Sequence, residues 1–148
     1  MISIVIEGEP VGKARPRVYR NNGVTRAVTP DKTKRYEEQV KGAYLEQVGR
    51  EVSFPEGPVR VTILMGFSIP KSTSKKKRLQ MLQGKIRPQK KPDIDNVTKA
   101  VLDALNGLAY SDDKQVVDIT ASKWYTKKPF VWVTMEKTDG QEEKLCNV

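Results

Sequence analysis

The stretch Val59-Arg60-Val61-Thr62-Ile63-Leu64-Met65-Gly66-Phe67-Ser68-Ile69 carries the clearest structural signal in the chain. Val59, Val61, Ile63, Met65, Phe67 and Ile69 recur at every second position, so a strand places them all on one face. Pro55, Gly57 and Pro58 mark a turn before this strand, and Pro70 stops it. Upstream, Ile2, Ile4 and Ile6 repeat the alternation and predict a strand over Met1–Glu7. Tyr36, Val40, Ala43, Tyr44 and Val48 then share a helical stripe that starts at Thr29-Pro30-Asp31 and ends near Gly49. Between them, Gly8–Thr29 mixes glycines, prolines and basic residues without a period and reads as a long loop or irregular arm.

Downstream, Ser74 is placed to cap a short basic helix from Lys75 to Gln83, ended by Gly84. Lys85–Pro92 reads as extended and basic. Ile94, Val97, Val101, Ala104, Leu105 and Leu108 fall in an arc about 100° wide, which predicts a helix from about Ile94 to Gly107. Two strands follow, from Val116 to about Tyr125 and from Phe130 to about Met135, joined by Lys127-Lys128-Pro129 as a terminal hairpin. The order β-α-β-α-α-β-β predicts an α+β fold, a small mixed β-sheet flanked by helices in a single domain spanning 1–148. The polar segment 139–148 is expected to fray.

The apolar fraction, 37%, lies below the ~45–50% of ordinary globular chains, so one modest core is expected and dimerisation would supply a larger shared one. The net charge of +9 is uneven: Lys71–Lys91 holds nine Lys/Arg and no acid, and Lys13–Arg35 holds eight with one acid, Asp31. Such a surface favours polyanions, nucleic acid ahead of anionic membrane. No apolar run approaches the ~20 residues of a membrane span, and the N-terminal residues lack the pattern of a secretory signal. A lone cysteine, Cys146, excludes a disulfide scaffold or a thiolate metal cluster. The absence of histidine removes Ser-His-Asp triads and imidazole bases. Any metal must therefore be held by oxygen, which suits Mg²⁺ or Mn²⁺.

The chemistry-bearing segment is Lys91-Pro92-Asp93-Ile94-Asp95-Asn96, with Asp112-Asp113 about one helix later. Asp93 and Asp95 stand at the helix entrance, and Asp95, Lys99 and Asp103 run down its polar face at i, i+4, i+8. Phosphodiester hydrolysis needs a polarised phosphoryl oxygen, an activated water and a stabilised leaving oxygen, and carboxylate-held Mg²⁺ supplies all three. A lysine at position 99 suits contact with the scissile phosphate. The residues taken singly also allow structural readings. Asp93 or Asp95 can cap the helix, Asp112-Asp113 can make a turn, and Lys99 can pair with Asp95 or Asp103. Gly8-to-Ala14 is too short for a phosphate-binding loop, an EF-hand from Asp93 fails at Val97 and Ala104, and a PD-(D/E)xK reading leaves Asp95 and Lys99 without roles. A non-catalytic DNA-binding module, or a two-metal nuclease of another family, stays open on these residues alone.

The run DIDNVTKAVLDALNG from Asp93 to Gly107, followed by SDDKQVVD from Ser111 to Asp118, resembles the RusA family of Holliday junction resolvases. The opening GEPVGKARPRV and Val28-Thr29-Pro30 are similar to the phage-type branch. The resemblance implies an Mg²⁺-dependent homodimer that nicks a four-way DNA junction symmetrically, in the bacterial or phage-infected host cytoplasm. It places the metal-binding aspartates on Asp93, Asp95 and Asp113 and the essential lysine on Lys99. Pro92 stands where some members carry a basic residue, and the connection to Asp112 is one residue shorter, so Asp112 stays a candidate ligand beside Asp113. Lys13, Arg15 and Arg17 on the arm, Lys75, Lys76, Lys77 and Arg78 on the short helix, and Lys91 are the expected DNA contacts. Trp124, Tyr125 and Trp132 are expected in the core or at a dimer interface. No nucleotide cofactor is expected.

Overall fold

The elements in chain order are β1 (Ile2–Glu7), β2 (Arg17–Asn21), β3 (Val24–Val28), α1 (Asp31–Gln47), β4 (Val59–Ser68), α2 (Lys75–Leu82), α3 (Ile94–Leu105), a 3-10 turn (Asp113–Gln115), β5 (Val116–Thr126) and β6 (Phe130–Lys137). This computed structural model describes residues 1–138; the tail 139–148, with Cys146, lies outside them. The fold is α+β: a mixed sheet with α1 and α3 packed on its core face, α2 against β5, and a separate two-stranded ribbon.

The strictly alternating segment becomes the central strand because it can be covered on one face and paired on both edges. The sheet order is β1-β6-β4-β5. β4 is antiparallel to β6 and parallel to β5, and β6 is antiparallel to β1. Val61, Ile63 and Met65 of β4 lie beside Val133 and Met135 of β6, and all are fully buried. Tyr36, Val40 and Tyr44 of α1 and Val97, Ala100, Val101 and Ala104 of α3 complete this core. The two helices pack together, α1 also covering β1 and α3 reaching β5. Among the described residues no helix is long and apolar enough to cross a membrane.

Three expectations are corrected. First, β5 and β6 do not form a terminal hairpin, because β4 lies hydrogen-bonded between them. The connection passes the end of β4 at Gly66, which stands opposite both Trp124 and Phe130. A Cβ there would lie 2.7 Å from Thr126 Oγ1 and 3.1 Å from Phe130 Cδ1, so the crossing needs glycine. Second, the stretch expected as a loop contains β2 and β3, joined by Asn22 and Gly23, both at positive φ (49° and 78°). That geometry matches the twist of a tight hairpin. The element order is therefore β-β-β-α-β-α-α-β-β. Third, Ile94 sits on the helix's apolar arc yet is 38% exposed, at the start of α3 where it borders two open cavities. Ile69 falls outside β4.

Candidate active site

The first turn of α3 leaves its acids available. Asp93 is the N-cap residue, with extended backbone (φ −68°, ψ 148°), but its carboxylate makes no capping bond. Pro92, in a cis peptide with Lys91, precedes it. The turn is closed by backbone and hydroxyl groups instead: Val97 N–H donates to Asp93 O at 3.2 Å, and Thr98 Oγ1 donates to Ile94 O at 2.8 Å. Lys123 on β5 anchors the entry, its Nζ donating to the carbonyls of Lys90 (2.5 Å) and Pro92 (2.9 Å).

Asp95, Lys99, Asp103 and Asp113 line one open cavity of about 380 Å³ between α3, the turn after it and β5. The i, i+4, i+8 line on α3 forms one wall, and Asp113 is brought to it by the chain return. Asn106 Oδ1 accepts the Asp113 backbone N–H at 3.2 Å. Beneath them Tyr110 is buried, its hydroxyl donating to Leu102 O at 2.7 Å. Burial, then the charges of Asp113 and Asp103, hold that phenol above its ordinary range.

Asp112 and Asp113 do different things. Asp112 Oδ1 accepts Lys114 N–H at 3.0 Å, and Asp112 N–H donates to Gln115 Oε1 at 3.0 Å, a reciprocal capping box. The hydrogen bond from the Lys114 backbone, aided by the Lys114 ammonium, holds the Asp112 carboxyl below the ordinary carboxylate range. Gln115 ties this turn to the carbonyls of Phe54 (3.1 Å) and Gly57 (3.0 Å). Asp112 is thus engaged in shaping the turn that delivers Asp113.

Asp93 is not in this cavity. It borders two neighbouring ones, one formed with Gly12–Ala14, Lys32 and Lys91, the other with Arg87, Lys90, Lys91 and Lys123. Among the described residues no three acidic side chains form a ready-made metal cluster, so the expected convergence of Asp93, Asp95 and Asp113 is only partly present. Like-charged carboxylates repel when no cation lies between them. Asp118 is turned to the other face of the sheet, where it meets Arg60 Nη2 at 3.3 Å.

Asp103, which the sequence placed on the polar line of α3 as an ion-pair partner for Lys99 but not among the site residues, lines the same cavity. Its Oδ2 accepts Lys13 Nζ at 2.5 Å and lies 3.6 Å from Lys99 Nζ. Lys13 also donates to Glu37 Oε1 of α1 at 2.9 Å. Its backbone N–H donates to Asn96 O at 2.9 Å, and Ala14 N–H to Thr33 Oγ1 at 3.1 Å. Gly12 makes this docking possible, since a Cβ would sit 2.9 Å from Pro92 Cβ. Lys13, expected among the DNA contacts, is thus engaged as a clamp between α1 and α3.

The other basic residues remain on the surface. Arg15, Arg17, Lys75, Lys76, Lys77 and Lys91 are exposed and Arg78 is half-buried. Ser74 caps α2, its side chain accepting Lys77 N–H at 3.4 Å. No acid stands in the first turn of α2, so its lysines oppose the helix dipole. Trp124 is half-buried under Arg87, whose guanidinium lies 3.3 Å from the ring centroid; Tyr125 packs on the core; Trp132 is 43% exposed on the sheet's outer face.

Acids and a lysine sharing an open cavity within a strongly basic domain are the equipment of an enzyme that acts on a nucleic-acid phosphate. The chain matches the family model described as Endodeoxyribonuclease RusA over residues 7–136, and it belongs to that family of DNA endonucleases. It is also similar to a Bacillus subtilis (strain 168) protein described as uncharacterized protein YqaN, with 39% identity over 141 residues, 94% of this chain and 98% of that one.

Proposed function

We propose that the protein is a Mg²⁺-dependent endonuclease that resolves four-way (Holliday) DNA junctions by paired, symmetric nicking as a homodimer. The observation that carries this reading is the shared cavity of Asp95, Lys99 and Asp113 on a chain of the RusA family.

The donor set fits a hard cation: Asp95 and Asp113 present oxygens to one cavity, and the Asp93 carboxylate, free of capping duty, borders the neighbouring ones. When bound there, Mg²⁺, or Mn²⁺ in its place, polarises a phosphate and lowers the pKa of a water. Lys99 directs its ammonium at the phosphate and offsets charge that builds on it. Asp103 keeps Lys99 on the cavity side of α3. Lys90 and Lys91, lining the cavity beside Asp93, draw the DNA strand across the helix entrance. Arg15, Arg17 and the Lys75–Arg78 turn add further phosphate contacts.

Dimerisation is supported by the outer face of the sheet. Val5, Trp132 and Leu64 stand side by side across β1, β6 and β4, with Val5 42% and Trp132 43% exposed. Light scattering of the protein, alone and with Trp132→Arg, tests this.

The decisive assay incubates the protein with a labelled four-way junction and a matched linear duplex, with and without Mg²⁺. Junction cleavage that needs Mg²⁺ and disappears in Asp95→Asn and Asp113→Asn, while junction binding persists, is the expected result. Equal cutting of linear duplex would replace the junction assignment with a general nuclease. Cleavage undiminished in both variants would refute the site.

A further inference from the structure

The β2–β3 ribbon has no structural reason to exist in the fold already described. All of its strand residues are exposed, including Val18 (66%), Tyr19 (54%), Val24 (56%) and Val28 (40%). It adds nothing to the core, and an isolated two-stranded hairpin is marginal in water. A chain that keeps exposed apolar side chains on such an element gains something other than folding energy from it.

Its side chains point to what that is. The pairing sets Arg17 opposite Val28, Tyr19 opposite Arg26 and Asn21 opposite Val24, so these share one face. Arg17, Tyr19 and Arg26 thus form a cluster of two guanidinium groups flanking an aromatic ring. Arg20 lies on the reverse face. From Pro10 to Pro30 there are five cations and no acid. Strands of five residues reach about 17 Å, roughly half a helical turn of DNA. A twisted two-stranded ribbon is among the few elements the major groove admits.

Its roots are fixed beside the site. The segment before β2 is held through Lys13 to Asp103, Glu37 and Asn96, and Ala14 to Thr33. The segment after β3 leads directly into α1 at Pro30. The same strap borders the cavity that contains Asp93.

We infer that the β2–β3 ribbon is a DNA-gripping arm that engages the duplex next to the branch, with Arg17, Arg20 and Arg26 on backbone phosphates and Tyr19 stacked against a base exposed where the arms part. This rests on the junction reading proposed above. It goes beyond it by assigning a branch-recognition element separate from the acidic cavity.

The test measures binding of the full chain to a labelled four-way junction and a matched linear duplex, without Mg²⁺ so that nothing is cut. The Arg17→Gln/Arg20→Gln/Arg26→Gln variant is expected to weaken junction binding at least about tenfold and to make the log K against log salt slope shallower by about 2–3. The matching triple Arg→Lys variant keeps the slope, since the charges remain. Tyr19→Ala is expected to leave the slope unchanged and to cut the preference for junction over duplex by about tenfold, with Tyr19→Phe retaining it. Thermal melting of all four variants should match the parent, because the substituted side chains are exposed.

Unchanged affinity and slope in the triple Gln variant would overturn the inference and leave the ribbon to a protein partner. A slope loss as large in the Arg→Lys variant would overturn the phosphate assignment. Failure of the junction reading looks different: the parent protein itself then shows no preference for branched DNA, whatever the ribbon carries, and the inference falls with it.

Discussion

Lys13→Met removes an ammonium while keeping most of the apolar stem. Lys13 Nζ lies 2.5 Å from Asp103 and 2.9 Å from Glu37, and the three side chains retain only 22%, 24% and 18% of their exposure. An exposed ion pair contributes ~0.2–1 kcal/mol, whereas removing one partner of a fully buried pair costs ~3–5 kcal/mol. This site lies between those limits, and Lys99 at 3.6 Å still offsets part of the Asp103 charge. The expected loss is about 2–3 kcal/mol, a drop in Tm of roughly 4–12 °C for a chain of this size. Circular dichroism melts of Lys13→Met, Asp103→Asn and the double variant test it. The double variant should recover about 1 kcal/mol or more relative to the sum of the singles. The pH dependence supplies a second check. Burial opposes the Lys13 charge, but hydrogen bonds and attraction from Asp103 and Glu37 outweigh it and hold the ammonium above the ordinary value of 10.5. Its contribution is complete below 10.5 and is lost only as pH rises through the raised value. The gap between parent and variant should therefore stay level from neutral pH to about 10 and close above it. A Lys13→Met protein within ~0.5 kcal/mol of the parent, or strictly additive singles, would refute the clamp.

Asp112→Ala should lower the melting temperature yet leave junction cleavage measurable, while Asp113→Ala should do the reverse; parallel melts and cleavage assays separate the cap from the cavity residue. Because Asp112 titrates below its ordinary 3.8, the part it contributes is present above 3.8 and disappears as pH falls through the lowered value. Gly66→Ala should cost about 1–3 kcal/mol in urea unfolding, since its Cβ meets Thr126 at 2.7 Å, and Thr126→Ala in the same chain should recover part of it. Arg87→Ala should destabilise by about 1 kcal/mol and shift the fluorescence of Trp124 in a Trp132→Phe background, because the guanidinium covers that ring at 3.3 Å. An unchanged spectrum would contradict the stacking.

The elements legible in the sequence were those whose burial is one-sided and local. Strand β4 alternates because one face meets helices, and α3 shows a 3.6-residue period because its stripe lies in the core. The ribbon was missed because neither of its faces is buried, so no alternation exists to be read; Asn22-Gly23 was the available signal. The order of the last strands was misread because a three-residue connection normally joins neighbours, and nothing in residues 127–129 announces that β4 is threaded between them. At the site, the spacing of Asp95 and Lys99 along one helix was readable, as was the acid pair after it. What separated Asp113 from Asp112 was hydrogen-bond direction in the capping turn, and what bound Asp103 to Lys13 was a contact across ninety positions of chain, |i−j| = 90, that no local period encodes.

The threading of β6 between β1 and β4 bears on when the sheet can close. Among the described residues β1 precedes every other element, yet its sheet neighbour is β6, the last strand of them. Until Phe130–Lys137 is released, β1 has no ladder to join and β4 has one bare edge. A ribosome-bound or prematurely terminated chain therefore carries the acids and the basic arm without the completed sheet behind them. Within the described residues the sheet thus closes only when its earliest and latest strands meet, although the cavity itself is lined by α3, the turn after it and β5.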